Sequence, residues 1–382
     1  MDFERNWYER LQRCAELNVA LRFDDDPRIA EEIIAEADQG LADLEFEANA
    51  VVLKTFKAHR ANALTSLISG RGTRNKYWLH EALADCDDAL AYSDADTEIL
   101  DGVLHKLKAT AFILLAEWPD EDRAQCLSDA LVEYQLAVWG IDRERMLDEW
   151  SHAQHGLAEV CYQLIFVEDT DSQRLARRGL DAITAALAGW EEARDEVGRA
   201  KAEAVRGNLH TWLADADGDA RVSNLRSAAE AYHNAMVAAE AIDDIDLYGP
   251  VGALYGETCW ALSHEPGEPI VRSLKSALQG LSESSRAVSP DDRPESWVAI
   301  RVMAAQVLLE LAEHLPKRAA EFRGEAFRSA WAAWSALAYR AELHTASAQA
   351  AREILARVRD DIGELFDVFW IESDFGLRPE WL

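Results

Sequence analysis

The feature that most constrains this chain is a recurrence of small residues every 49 positions. Stepping by that interval gives Ala109, Ala158, Gly207, Gly256 and Ala305, and six residues later comes Leu115, Leu164, Leu213, Leu262 and Leu311. A second ladder follows in step. Small residues fall at Ala130, Gly179, Ala228, Ala277 and Ala326. Four positions on stand Tyr134, Ile183, Tyr232, Leu281 and Ala330, and seven on Ala137, Ala186, Ala235, Ser284 and Ala333. Offsets of 0, 4 and 7 share one face of an α-helix. Small residues there let two helices approach closely, and the bulky residue fills the groove between them. Each 49-residue step therefore reads as a helical hairpin, and stacked hairpins bury a continuous core.

A looser unit precedes these, with Ala61 and Leu67, then Ala82, Cys86 and Ala89. That makes six hairpins. Two further helices are expected in residues 1–50, the second opened by the cap Asp26 and a first-turn Pro27. A last amphipathic helix is expected over 346–371. The domain reading is 1–50 as N-terminal capping helices, 51–340 as the hairpin stack and 341–382 as a C-terminal capping helix and tail. No long segment alternates with period two, so strands have no place, and the fold class is all-α.

The second-helix series small-x₃-aromatic-x₂-small, whole in Ala130–Tyr134–Ala137 and Ala228–Tyr232–Ala235, resembles the tetratricopeptide repeat (TPR) family over roughly 51–340. The first-helix Gly or Ala matches the small residue of that family. Two features depart from it. The period is 49 where the family has about 34, and the family's tryptophan four residues before the first small position is absent. The resemblance implies a right-handed α-solenoid whose first helices line a concave binding face. One step after the small residue it places Glu159, Asn208, Glu257 and Gln306 on that face, one turn on Tyr162, Thr211, Trp260 and Leu309, and one turn before it Lys106 and His155. Enlarged repeats of this kind are also similar to those that accompany caspase-like peptidases in bacteria.

The formal net charge is −31, spread along the chain. A polyanion would be repelled over most of such a surface, so nucleic acid is not an expected partner, whereas a basic protein is compatible. The plainer reading is that the acids keep a long solenoid soluble. No run of 18 apolar residues exists, so no membrane span is expected, and the start MDFERNWYERLQRC places acids and arginines where a signal peptide needs a basic and then an apolar stretch. Cys14, Cys86, Cys126, Cys161 and Cys259 form no CxxC pair and read as packed thiols of a reducing compartment. A cytoplasmic location is expected.

Catalytic and metal motifs are thin. Glu149–His152 and Glu230–His233 have the Glu-x-x-His spacing of di-iron bundles but fall on a first and a second helix. Asp215, Asp217 and Asp219 begin like a calcium loop, yet Ala220 stands where that loop needs glycine and Arg226 where it needs glutamate. Asp24–Asp26 reads as a helix cap and not as a metal-binding run, and Asp374–Phe375–Gly376 has no kinase partners. His210 shares the repeat position of Cys161, Cys259 and Leu308 and should face the interior. The loop Gly70–Lys76 is basic in an acidic chain. The expectation is a non-catalytic scaffold or adaptor that binds a protein or peptide without metal or cofactor. The alternatives are an acidic mimic that inhibits a nucleic-acid-binding protein, or an all-α metal-dependent enzyme.

Overall fold

The computed structural model describes residues 3–21, 26–44, 50–69, 75–92, 98–167, 170–339 and 345–363, with Phe366, Trp370, Phe375 and Leu382. Asp24, Asp25, residues 70–74, Asp374 and Gly376 lie outside the described residues. The described residues form fifteen α-helices, two short 3₁₀ turns and no strand. Among the described residues no helix is long and apolar enough to cross a membrane. The chain divides into two compact units, Met1–Gly198 and Arg199–Leu382.

The first unit contains α1 (Phe3–Leu21), α2 (Pro27–Asp43), α3 (Ala50–Ser69), α4 (Tyr77–Leu90), α5 (Glu98–Leu115), α6 (Arg123–Gly140), α7 (Leu147–Leu164) and α8 (Ser172–Ala193), and it ends inside α9 (Glu196–Ala216). From α1 to α8 each helix packs on the next. In addition α1 touches α3, α3 touches α5 and α5 touches α7, so the odd-numbered helices form a layer of their own. The second unit holds most of α9, then α10 (Arg221–Ala241), α11 (Ile245–Ser263), α12 (Ile270–Ala287), α13 (Pro294–His314), α14 (Ala319–Tyr339) and α15 (Ala346–Ile362). There α11 touches α13 and α13 touches α15. Helices α5, α7, α9, α11 and α13 begin at residues 98, 147, 196, 245 and 294.

Every residue of both ladders is buried, and so are Ala61, Leu67, Ala82, Cys86 and Ala89. The close approach that the small residues permit is visible in two hairpins of the second unit. A Cβ on Gly207 would lie 2.4 Å from the Tyr232 ring, and one on Gly256 would lie 2.6 Å from Leu281. In each case the bulky residue of the second helix sits over the small residue of the first. Ser284 is the one polar rung, and its hydroxyl donates to the Gly249 carbonyl at 2.6 Å.

Capping fixes where helices begin. Asp26, Asp122, Asp171 and Asp244 each accept a backbone N–H at the start of α2, α6, α8 and α11. The expected helix over 346–371 is shorter in the described residues. It ends at Ile362, where Gly363 takes φ of +60°, a conformation that suits glycine and stops a helix. All five cysteines are free and buried. Burial pushes the thiols of Cys14, Cys161 and Cys259 up to about 11, which keeps them protonated and inert.

Candidate functional site

In the first unit the odd-numbered helices enclose a groove of about 630 Å³. Helix α1 contributes Asn18, α3 His59 and Asn62, α5 Lys106 and Thr110, and α7 Glu149, His155 and Glu159. Apolar wall comes from Val19, Leu100, Val103, Leu107 and Met146. Three residues chosen from the sequence, Lys106, His155 and Glu159, therefore come together in one place.

The polar lining is held in register. Asn62 Nδ2 donates to Asn18 Oδ1 at 2.7 Å. Asn18 Nδ2 in turn donates to the Cys14 carbonyl at 2.9 Å and lies 2.7 Å from His59 Nδ1. With the amide as donor, His59 Nδ1 is the acceptor, so the ring is neutral. Burial pushes the His59 pKa down to about 4. Lys106 Nζ pairs with Glu149 across from α5 to α7. Tyr134 on α6 closes the floor, with its hydroxyl 3.1 Å from Thr110 Oγ1 and its ring where a Cβ on Gly156 would fall.

His59 makes the groove sensitive to acid. Its folded-state pKa lies below the ordinary histidine value, so the stability it contributes is present above pH 6.5 and is lost as pH falls towards 4. The loss expected from this residue at pH 5 is about 2 kcal/mol. Denaturant titration of wild type and His59→Gln at pH 7.5 and pH 5 should show a smaller acid loss in the variant. Equal losses would mean that His59 takes a proton as readily folded as unfolded.

The other sequence-selected residues have different surroundings. Tyr162, near the C-terminal end of α7, stacks edge-on against Phe166 at 5.3 Å and is not part of the groove wall. In the second unit Asn208 Oδ1 accepts from the Tyr232 hydroxyl at 2.8 Å, and Thr211 Oγ1 lies 3.2 Å from the same oxygen. Both side chains thus anchor α10 to α9. Trp260 is half-buried and its indole N–H donates to Glu310 Oε1 at 2.9 Å. Glu257 is exposed, Gln306 half-buried and Leu309 buried. His210 is half-buried, with Nδ1 3.1 Å from Asn224 Oδ1, and burial lowers its pKa.

The metal-like motifs resolve into local partners. Glu149 is engaged by Lys106, and His152 turns instead towards Asp148, 3.5 Å away, and the Trp190 ring. Asp148, His152 and Asp195 converge, while Asp195 also accepts the Val197 and Gly198 N–H groups. His233 packs against Tyr255 at 5.6 Å. Asp217 caps a 3₁₀ turn over Gly218–Ala220 and Asp215 pairs with Arg221 at 2.7 Å, which is hairpin-turn chemistry. Within the basic loop, Lys76 pairs with Asp120 and with Glu121 at 3.1 Å.

Asn18, His59, Asn62 and Thr110 are not expected from the sequence at a site, and Glu149 only as half of a Glu-x-x-His pair. Two of them carried a signal, because Asn62 and Thr110 each stand one step after a small ladder residue, Ala61 and Ala109.

No family model matches the chain, and no curated protein does. Among solved structures it is similar to a Rap protein complexed with competence and sporulation factor, at 13% identity and a TM-score of 0.49, covering 97% of this chain and 89% of that one. It is also similar to the nuclear import adaptor Nro1 of S. pombe, at 15% identity and a TM-score of 0.47, covering 78% of this chain and 99% of that one. A circular tandem repeat protein matches at 14% identity and a TM-score of 0.33, over 97% of this chain and 92% of its own.

Proposed function

We propose that the protein is a non-catalytic scaffold that holds a partner protein or peptide in the groove of its odd-numbered helices. The observation that carries this is the composition of the groove wall. Fixed hydrogen-bonding groups from Asn18, His59, Asn62 and Thr110 stand beside apolar Leu100, Val103, Leu107 and Met146, and all but Met146, which just precedes α7, are on helices. A peptide offers both backbone polar groups and apolar side chains, so such a wall suits it. Rigid helices also hold these groups in place before binding, which lowers the ordering cost. The divergent TPR-like reading of the 49-residue step belongs to the same proposal, and so do the division at 50 and 340 and a caspase-like peptidase as one class of partner.

The test is capture of partners from the native host by the full chain, with mass spectrometry, followed by affinity measurement on the purified pair. His155→Ala with Glu159→Ala should weaken binding roughly 30-fold if the groove holds a hot spot worth about 2 kcal/mol, with the helical signal unchanged. Trp260→Ala tests the second unit in the same assay. If these variants bind normally while Asp217→Asn with Asp219→Asn abolishes binding, the groove is not the site and the acidic-mimic reading replaces it.

A further inference from the structure

Arginines in this acidic chain are mostly engaged by carboxylates. Arg10, Arg60, Arg143, Arg221 and Arg293 all make such pairs. Helix α8 breaks the pattern. Arg174, Arg177 and Arg178 follow one another at offsets 0, 3 and 4, hence on one helical face. Among the described residues none of the three guanidinium groups has an ion-pair partner. They line a groove of about 710 Å³ between α8 and α6, with Gln173, Gln135, Asp171 and Asp181. Asp171 is occupied as the cap of α8, accepting the Arg174 N–H.

The α6 face that brings Gln135 to this groove is otherwise apolar and open. Val132, Leu136 and Trp139 are 53%, 39% and 88% exposed, and Gln135 lies three residues after the first and four before the last. A tryptophan left this exposed beside two further aliphatic residues is the kind of patch that marks an interaction surface. The basic character also recurs along the sequence. Arg177, Arg226 and Lys275 are successive 49-residue steps, and Arg272 lies two steps after Arg174. In the second unit Arg272 and Lys275 line a groove of their own, about 800 Å³, beside the exposed Ile270.

We propose that the face formed by α6 and α8 docks an acidic amphipathic segment of a partner protein, its carboxylates over Arg174, Arg177 and Arg178 and an apolar side chain on Trp139. Charge complementarity selects this occupant. On a chain of net charge −31, a local cluster of free guanidinium groups is a place where a carboxylate gains both attraction and bidentate hydrogen bonds. This face lies on the even-numbered helices, so it is separate from the groove of the odd-numbered ones, and neither proposal depends on the other.

The test uses the full chain and a fluorescent helix-forming peptide of about 18 residues, with glutamates on one face and leucine and phenylalanine on the other. Anisotropy should report binding that weakens with added salt. Arg174→Gln, Arg177→Gln and Arg178→Gln combined, and separately Trp139→Ala, should each weaken it about tenfold or more. The Glu→Gln peptide should lose affinity to a similar degree, while His155→Ala with Glu159→Ala should leave binding unchanged. No binding by wild type overturns the proposal, as does equal binding by the two peptides or by the arginine variant. So does displacement of the peptide by a single-stranded RNA homopolymer at equal concentration, or a sedimentation profile in which Trp139→Ala only dissociates copies of the chain from each other.

Discussion

Gly207→Leu is expected to lower stability by about 3 kcal/mol, the upper part of the range for overpacking a filled core. The space that a side chain would need is already taken. A single Cβ at 207 would meet Tyr232 Cε1 at 2.4 Å and Cδ1 at 2.6 Å, and Tyr232 is only 1% exposed. The ring cannot swing aside freely, because its hydroxyl donates to Asn208 and lies against Thr211. Leucine must therefore either push α9 off α10 or strip the tyrosine of its partners. For a unit of this size the cost corresponds to a drop of about 6–12 °C in melting temperature. Gly218→Ala is the internal control. Nothing lies within 4 Å of a Cβ at 218, so the melting temperature should stay within about 1 °C. Equal behaviour of the two variants would mean that the ladder glycine is not a helix contact.

The ladders were legible because burial in stacked hairpins obeys a period. A small residue at each crossing and a bulky one four positions along the partner helix leave a trace that a single sequence can show, and all of those positions are buried. The candidate groove was legible only where it shares that register. Lys106, His155 and Glu159 were found by counting from Ala109 and Ala158, and Asn62 and Thr110 could have been found in the same way. Asn18 and His59 could not. Asn18 stands on α1, which has no place in the ladder, and the two meet through a hydrogen bond between residues 41 apart. Asn208 and Thr211 show what register leaves out. Their register puts them at the face, yet the Tyr232 hydroxyl occupies both. Sequence spacing gives the direction of a side chain and says nothing of which neighbour has already claimed it. The early end of α15 at Gly363 was legible in principle, since glycine is the usual residue past a helix C-terminus.

Asp101→Ala is expected to cost about 3 kcal/mol, although neither residue of its ion pair belongs to the candidate groove or the ladder. Lys54 on α3 is fully buried, which is rare for lysine without a partner, and its Nζ lies 2.6 Å from Asp101 Oδ1 on α5. The pair spans two odd-numbered helices and helps to fix their spacing. Asp101 is one-third exposed, so its carboxylate keeps some water, while the ammonium has left water altogether. Removal of the aspartate leaves that charge inside the unit with less to offset it. Lys54 keeps a further interaction, which holds the loss near the lower end of the range for broken buried pairs. Lys54→Met should behave differently. It removes the buried charge, fills nearly the same volume with apolar atoms and returns Asp101 to solvent, for a change within about 1 kcal/mol. Denaturant unfolding of the two variants decides the matter by their order. If Lys54→Met were the more damaging, the ion pair itself would be stabilising the contact of α3 with α5. If Asp101→Ala were harmless, the remaining interaction of Lys54 would be enough to hold its charge.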